Sequence, residues 1–260
     1  MNSKIIVFSL IVCLLCTLTA CLNNNEIKVI RDRGELRVGV KSDVPRFGYL
    51  NLNKGKLEGM EIDLARILAK DIFGNENAVK FIIVGSAQTR AAILENGEID
   101  IAIATFTITE ERKKNFNFSR SYFTDELGCL VRAGSTINKL EDLDGKIAGI
   151  ARATTSKAAF EGECVRLGIN VTVLEFVNYP EIKMALMNGK VDAFISDKSI
   201  LYGYIDDMCV LLDDGFNPQQ YGIASKKKNK KLAARIDALL GTLEKNGGLA
   251  ELLKKWNLYQ

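Results

Sequence analysis

The sequence contains no histidine, and it has only three prolines and one tryptophan among its 260 residues. Without histidine the chain cannot form a His-ligated metal site, and it cannot use histidine to activate a serine or cysteine nucleophile. Many hydrolase mechanisms are thereby excluded. We predict no catalytic residue, no metal site and no cofactor.

An excess of charge of one sign is also lacking, because 35 Lys and Arg stand against 32 Asp and Glu, a net charge of +3. Such a balance does not predict binding to nucleic acid or to a membrane surface. The one dense basic run, residues 226–231, lies between a strand-like and a helix-like segment. It is interpreted as a solvated loop, with an interaction patch as the alternative.

One long uncharged apolar run is present, from Ile5 to Leu18, close to the N-terminus. It is shorter than the ~20 residues of a membrane-spanning helix and has the form of a signal peptide. The following Leu18–Cys21 resembles the bacterial lipobox, in which the cysteine is lipidated. We predict a lipoprotein signal peptide over 1–20 and a tether over 21–27, with a lipid anchor on Cys21. An uncleaved anchor and ordinary secretory cleavage are the alternatives.

Three cysteines lie beyond this segment: Cys129, Cys164 and Cys209. They are odd in number and show no C-x-x-C spacing, so at most one disulfide is possible among them. We predict three buried thiols that act as small hydrophobic side chains.

The most informative segment begins with an apolar run, residues 100–104, that predicts a strand. Thr105 and Thr107 then alternate with apolar residues, and alternation along a strand places both hydroxyls on one face. Thr109 is a candidate helix N-cap, with Arg112 in the first turn that follows. Hydroxyls beside a guanidinium suit a carboxylate ligand. The alternative is a capped surface helix with a solvated arginine.

Two segments of the chain recur. Asn96–Asp100 is repeated as Asn188–Asp192, each copy between a helix-like run and an apolar strand, and Arg37–Val40 has a weaker echo in Ile147–Ile150. Chance is one explanation, because helix–Asn-Gly–strand junctions are common. Two echoes favour two similar α/β lobes, in which ligands lie beyond the carboxyl ends of the strands. A cleft between two lobes is a favoured small-molecule site.

Polar residues also follow strands in the second half of the chain. Thr154, Thr155 and Ser156 open a helix, where hydroxyls and free N–H groups form an anion site. The alternative is ordinary N-capping, which needs only one of the three. Asp197 lies 92 residues after Thr105, the offset of the repeat. From the residues alone, Asp197 is more readily an N-cap than a ligand.

Three motifs follow one another along the chain: Gly59–Leu64, Thr105–Arg112, and Phe118–Tyr122, read as Phe-Ser-x-x-Tyr. Together and in this order they resemble the polar amino-acid-binding proteins of bacterial ABC importers. The chain has Ser121 where this family more often has proline, and Met60 where phenylalanine is more usual. The resemblance covers about residues 27–260.

The resemblance implies an α/β, two-lobed "Venus flytrap" fold, the type II periplasmic-binding-protein fold, with two hinge strands. The first lobe is then expected to comprise residues 28–124 and 219–260, and the second lobe residues 125–218. Ligand binding between the lobes is expected to stabilise a closed state by hinge-type closure.

The resemblance also implies roles for single residues. Arg112 corresponds to the arginine that clamps the ligand α-carboxylate, assisted by groups that match Thr105, Thr107 and Thr155. Asp197 corresponds to the aspartate that holds the α-ammonium. A related enzyme class, the cyclohexadienyl dehydratases, lacks this aspartate, so its presence argues against an enzyme.

The side-chain pocket is expected to select an acidic ligand. Lys41 falls where binders of basic amino acids carry an aspartate, and Arg90 falls where many relatives have an apolar residue. With Tyr179, these residues resemble the aspartate/glutamate-binding branch. The alternative is that Lys41 and Arg90 are solvated rim charges, which predicts a broad binder of polar amino acids.

These expectations define a monomeric, extracytoplasmic, lipid-anchored protein that binds L-aspartate or L-glutamate and is read by an ABC permease. A same-fold enzyme and a surface adhesin are the alternatives. The predicted ligand-binding set is Lys41, Arg90, Thr105, Phe106, Thr107, Arg112, Thr154, Thr155, Ser156, Tyr179 and Asp197.

Overall fold

The structure, a computed structural model, describes residues 26–258. The predicted signal peptide and the predicted lipid anchor at Cys21 lie outside the described residues. Only the last two residues of the predicted tether are described, and they belong to the first helix.

The described chain alternates helices and strands. The helices are α1 (Glu26–Arg33), α2 (Met60–Phe73), α3 (Ala87–Asn96), α4 (Glu110–Asn115), α5 (Ser156–Leu167), α6 (Tyr179–Met187), α7 (Lys198–Leu201), α8 (Lys230–Lys245) and α9 (Gly248–Lys255). The strands are β1 (Leu36–Val40), β2 (Asp43–Val44), β3 (Gly48–Asn51), β4 (Lys56–Glu58), β5 (Val79–Ile83), β6 (Ile101–Ala102), β7 (Phe116–Arg132), β8 (Ile147–Ala151), β9 (Thr172–Phe176), β10 (Ala193–Asp197), β11 (Cys209–Leu211) and β12 (Phe216–Lys226).

The main sheet has two parallel halves joined by two long antiparallel strands. Its order is β5-β1-β6-β12-β7-β10-β8-β9, with β11 paired to β7. In one half β1 lies between its parallel partners β5 and β6, and in the other β8 lies between its parallel partners β9 and β10. Strands β7 and β12 pair with each other and connect the halves. This topology confirms the predicted two-lobed α/β fold with two connecting strands, while the exact lobe boundaries stay a prediction.

The weak sequence echo corresponds to equivalent positions in the two halves. Gly39 lies in β1 and Gly149 in β8, the central strand of each parallel half. A Cβ at Gly39 would lie 2.5 Å from Cδ1 of Ile99, and a Cβ at Gly149 would lie 2.7 Å from Cγ2 of Ile182. Each glycine therefore lets an aliphatic side chain pack directly onto the strand.

The two C-terminal helices pack on the N-terminal half of the chain. Arg235 of α8 pairs with Asp71 of α2 at 2.6 Å. Asp63 of α2 accepts hydrogen bonds from Lys255 Nζ at 2.6 Å and from the Trp256 indole N–H at 2.8 Å. The chain thus returns to its first half after β12.

Two predicted strands have different bounds in the structure. The strand expected over 100–104 is only Ile101–Ala102, because Thr105 adopts a left-handed backbone with φ of 44°. The strand expected near 127–132 is the end of β7, which begins at Phe116 because β12 pairs with it along most of its length.

Within residues 26–258, none of the helices is long and apolar enough to cross a membrane. Cys129, Cys164 and Cys209 are buried free thiols, as predicted. Over the same residues, no cluster of Cys, Asp and Glu side chains is suited to holding a metal ion.

Candidate functional site

A polar cavity lies between the two halves, at the carboxyl ends of β1, β8 and β10. Ten of the eleven predicted ligand-binding residues line it, and Phe106 does not. The lining residues are Lys41, Ser86, Ala87, Arg90, Thr105, Thr107, Arg112, Ala151, Arg152, Thr154, Thr155, Ser156, Val177, Asn178, Tyr179 and Asp197.

Phe106 lies outside the cavity lining and contacts two arginines that line the cavity. Its side chain is buried, and two guanidinium groups lie over its ring. Cζ of Arg90 is 3.8 Å from the ring centroid, and Cζ of Arg112 is 4.7 Å from it. A ring within ~6 Å of a cation attracts it through its quadrupole. Phe106 therefore supports both arginines from outside the cavity lining, and its contact with the ligand stays a prediction.

The N-terminal end of α4 and the segment just before it hold Arg112 at the cavity. The Thr109 side chain caps α4 by accepting from the Arg112 backbone N–H at 3.1 Å, as the sequence predicted. One guanidinium nitrogen, Nη1, donates to the Thr107 carbonyl at 2.7 Å. Burial lowers the pKa of Arg112, and repulsion from Arg90 lowers it further. The alternative of a solvated surface arginine is therefore wrong.

Arg90 is the most deeply buried cation of the site. Its residue is 4% exposed, one guanidinium N–H donates to the Ala104 carbonyl, and its Nε has no hydrogen-bond partner among the described residues. Burial lowers the pKa of Arg90. Among residues 26–258, neither Arg90 nor Arg112 has a carboxylate within 4.0 Å. Both guanidiniums are thus available to an anion in the cavity.

Lys41 differs from the arginines because its charge is already matched. Its Nζ lies 3.0 Å from Oδ1 of Asp43 and 5.0 Å from the centroid of the Tyr179 ring. Burial lowers the pKa of Lys41, while Asp43 opposes that shift. The side chain is buried, so the alternative of a solvated rim charge is wrong. The pairing with Asp43 leaves Lys41 less free than Arg90 to bind the side chain of an acidic ligand.

Thr105 and Thr107 both reach the cavity, but strand alternation is not the reason. Thr105 lies after the end of β6 in its left-handed conformation, which is uncommon for a β-branched residue. Its backbone N–H donates to Oε1 of Glu61 at 2.6 Å, which holds the turn in place. Strained backbone of this kind concentrates at functional sites.

Glu61 is a buried carboxylate behind the cavity whose importance the sequence analysis missed. Besides Thr105, its Oε1 accepts from the Tyr122 hydroxyl, while Oε2 has no partner among the described residues. Burial raises the pKa of Glu61 to about 6. Its position in α2 gives a usable signal, because it shares the buried helix face with Leu64 and Leu68.

This raised pKa predicts a pH-dependent effect of Glu61→Gln. A carboxyl group whose pKa is about 6 in the folded state and 4.5 unfolded stabilises the fold fully below pH 4.5 and loses that contribution as pH rises through 6. The shift corresponds to ~2 kcal/mol. Urea unfolding should show that, from pH 4.5 to pH 7.5, the free energy of unfolding of wild type falls by about that much relative to Glu61→Gln. A constant difference between the two proteins over this range contradicts the prediction.

The start of α5 presents three polar side chains to the cavity. Thr154 Oγ1 donates to the Ala151 carbonyl at 2.7 Å, and Thr155 Oγ1 donates to Oε1 of Gln219 at 2.8 Å. Thr155 occupies the N-cap position without a capping side-chain hydrogen bond. The ordinary N-capping interpretation is therefore not observed for Thr155. Its hydroxyl instead links α5 to the connecting strand β12.

Asp197 ends β10 and precedes α7, but its carboxylate does not cap that helix. Asp197 thus occupies the predicted N-cap position, but the side-chain capping that this interpretation implies is not observed. Its Oδ2 accepts from the hydroxyl of Tyr221, a residue of β12. Burial, and after it the nearby carboxylate of Asp125, raise the pKa of Asp197 to about 7. The sequence gives no signal for Tyr221 or Asp125, because their proximity depends on strand pairing.

Among the described residues, the cavity therefore offers the buried guanidinium of Arg90 and the half-buried guanidinium of Arg112, both without carboxylate partners, together with several hydroxyls and the buried carboxylate of Asp197. Guanidinium groups bind carboxylates in a two-pronged geometry, and a carboxylate can accept hydrogen bonds from an ammonium group. A cleft of this chemistry between two lobes joined by two strands defines a binding protein for a small charged molecule.

Comparison with known proteins gives the family. Residues 36–259 match the bacterial extracellular solute-binding proteins, family 3. The chain belongs to this family.

Three relatives illustrate the likeness. The chain is 39% identical over 236 residues to the ABC transporter glutamine-binding protein GlnH of Bacillus subtilis strain 168, covering 89% of this chain and 84% of that protein. It is 42% identical over 209 residues to a glutamine-binding protein of Geobacillus stearothermophilus, covering 79% and 78%. The crystal structure of a cysteine-binding protein from Campylobacter jejuni superposes with a TM-score of 0.80 at 30% identity, covering 89% of this chain and 92% of that one.

Proposed function

We propose that this chain is the substrate-binding component of an ABC importer and binds an acidic L-amino acid, aspartate or glutamate, between its lobes. The observation that carries the acidic specificity is Arg90, a buried cation beside the cavity with no carboxylate within 4.0 Å among the described residues. A buried charge is costly unless a counter-charge joins it. The side-chain carboxylate of the ligand supplies that counter-charge.

Arg112 and Asp197 are assigned to the α-carboxylate and the α-ammonium of the ligand. Arg112 clamps the α-carboxylate, assisted by Thr107 and the hydroxyls at the start of α5. Asp197 accepts the α-ammonium. A dicarboxylic amino acid thereby places one carboxylate at each of these two arginines and its ammonium at Asp197, the carboxylate that lines the cavity among the described residues.

Glutamine is the second candidate, because the two relatives above carry that name. The carbonyl oxygen of a glutamine amide can accept from Arg90. The amide nitrogen, in contrast, needs an acceptor, and Lys41 and Arg90 can only donate. Ser86 and Asn178 line the cavity, but Oγ of Ser86 already accepts from the Thr89 backbone N–H and Oδ1 of Asn178 from the Glu181 backbone N–H. Asp43 and Glu61 do not line the cavity. Charge and hydrogen-bond capacity therefore favour the acid over the amide.

The proposed protein is a monomer without enzymatic activity, held at the outer side of the cell membrane by a lipid on Cys21. Asp197 supports the binding role over a dehydratase-like role, because it provides a partner for an amine. Its lobes, closed on the amino acid, are recognised by a membrane permease. A surface adhesin is the remaining alternative on this fold.

A calorimetric screen of the twenty amino acids against the mature chain tests this function. Aspartate or glutamate should bind most tightly. The same ligand should raise the melting temperature, since it binds only the folded state. If none of the twenty produces heat of binding or a thermal shift, the proposal is wrong and the dehydratase-like or adhesin alternative gains support.

The proposed anchor predicts the effect of Cys21→Ala. One acyl chain gives marginal membrane binding, whereas several chains hold a protein firmly. The variant should therefore appear in the periplasmic or culture fraction, while wild type remains with the membranes. Cys129→Ala is the matched control and should fractionate as wild type does. Identical membrane fractions for wild type and Cys21→Ala contradict the anchor.

A further inference from the structure

We propose that Asp125, on the connecting strand β7, is a positioning residue that controls the proton on Asp197 and thereby makes amino-acid capture depend on pH. This inference rests on the proposed function, because it takes Asp197 to be the ammonium acceptor. It assigns a role to a carboxylate that lies outside the cavity lining.

The two carboxylates are linked by one hydroxyl. Tyr221 lies on β12, and its hydroxyl contacts Oδ2 of Asp197 and lies 3.3 Å from Oδ2 of Asp125. A phenol has a single proton to donate. When both carboxylates are ionised, the hydroxyl can satisfy only one of them, and the two negative charges face each other in a buried site.

The hydrogen-bond partners decide which carboxylate keeps its charge. Asp125 accepts from the backbone N–H of Glu126 at 2.8 Å, from the backbone N–H of Ser199 at 3.1 Å, and from the Ser199 hydroxyl. Asp197 accepts from the Tyr221 hydroxyl alone among the described side chains and backbone groups. Hydrogen bonds to the charged form favour that form. Asp125 is therefore the ionised member, and Asp197 is the member that takes up a proton.

The other charged groups near Asp197 act in the opposite sense. Arg112 of α4 and Arg90 of α3 face it across the cavity and favour its ionised form. Tyr179 of α6 and Tyr221 of β12 are the neighbouring titratable hydroxyls, and both are neutral at physiological pH because burial raises their pKa. The pKa of Asp197, raised to about 7, reflects burial first and Asp125 second.

Proton uptake by Asp197 competes with binding of the ligand ammonium group. A protonated Asp197 does not pair with an ammonium group as an ion, so binding must release the proton. The affinity of wild type should thus fall as pH drops below about 7, by up to tenfold per pH unit for one linked proton. Removing the charge of Asp125 lowers the pKa of Asp197, because a like charge is lost. The decline in affinity then begins at a lower pH.

The test measures ligand affinity against pH from 5.5 to 8.5 for wild type, Asp125→Asn and a control, Asp192→Asn. Asp192 precedes the same strand β10 and is half-buried and ion-paired, but it does not line the cavity. At pH 5.5, Asp125→Asn should bind at least about threefold tighter than wild type, and at pH 8.5 it should bind no tighter, since half a pKa unit is a factor of about three. The control should keep the wild-type pH profile.

A ligand-free measurement separates this inference from the proposed function and requires no stable variant of Asp125. The side-chain carboxyl carbon of Asp197 is followed by NMR through a pH titration, with Asp197→Asn providing the assignment. A midpoint near 7 supports the proton uptake by Asp197 that the inference requires, and a midpoint near 4 overturns the inference whether or not any amino acid binds. Parallel pH profiles of wild type and Asp125→Asn overturn it as well, while a chain that binds no amino acid contradicts the proposed function instead.

Discussion

Replacing Arg90 by leucine should erase most of the preference of this protein for an acidic ligand over its amide. In wild type, aspartate or glutamate should bind at least ~100-fold more tightly than asparagine or glutamine, which corresponds to about 2.7 kcal/mol. Sites built on buried charged hydrogen bonds reject analogues that leave those groups unpaired. Leucine removes both the buried guanidinium and its need for an anion.

The matched control for this substitution is Arg152→Leu. Arg152 lines the same cavity, but it is exposed, so water already solvates its charge. Exposed charges contribute little to such pairing. The control should keep most of the selectivity. A variant at Arg90 that still prefers glutamate about 100-fold, or a control that loses the preference equally, would contradict the assigned role.

The second large effect concerns the groups proposed to hold the α-carboxylate and the α-ammonium of the ligand. Arg112→Ala and Asp197→Ala should each weaken ligand binding at least ~30-fold, the lower end of the ~2–5 kcal/mol typical for truncating one member of a desolvated charge pair. The loss is large because the partner charge on the ligand is left unpaired. Lys113→Ala, one residue further along α4 and ion-paired only at the surface, is the control.

Calorimetry of the three variants with one ligand decides the outcome. A loss below threefold for Arg112→Ala or Asp197→Ala would remove that residue from the site. An equal loss for the Lys113 control would show that the helix, and not the guanidinium of Arg112, is responsible. Circular dichroism of each variant confirms that the fold is retained.

The sequence predicted the lobes well because the repeat reflects real structural equivalence. The 92-residue offset carries Ile101 of β6 onto Ala193 of β10, and these strands occupy equivalent places beside β1 and β8. Glycine positions in β1 and β8 could be matched for the same reason. Local patterns of this kind can be recognised in the amino-acid sequence alone.

The charge balance of the site could not be predicted in the same way. Lys41 and Asp43 are two residues apart, yet only the structure shows that they pair inside the protein. The sequence shows that Arg90 carries a positive charge. It cannot show that no described carboxylate lies within 4.0 Å of that charge, because this depends on tertiary packing. Asp197 occupies the N-cap position that the sequence predicted, but the hydrogen-bond partner of its carboxylate, Tyr221, comes from another strand of the sheet.

The corrected charge balance sharpens the specificity argument. With Lys41 matched by Asp43, Arg90 is the buried cation of the cavity, among the residues that the structure describes, that has no carboxylate partner for its charge. Glu61 lies behind the same region and, with a pKa of about 6, adds a negative charge as pH rises. The preference for an acidic ligand should therefore weaken from pH 5 to pH 8, because an ionised Glu61 offsets part of the positive potential at Arg90.

The most direct test of the central claim is a competition titration of glutamate against glutamine on the wild-type mature chain at neutral pH. The same experiment with aspartate and asparagine covers the shorter side chain. An acidic ligand should displace its amide with at least ~100-fold greater affinity. Equal affinities, or a preference for the amide, would contradict acidic specificity and make glutamine the better candidate.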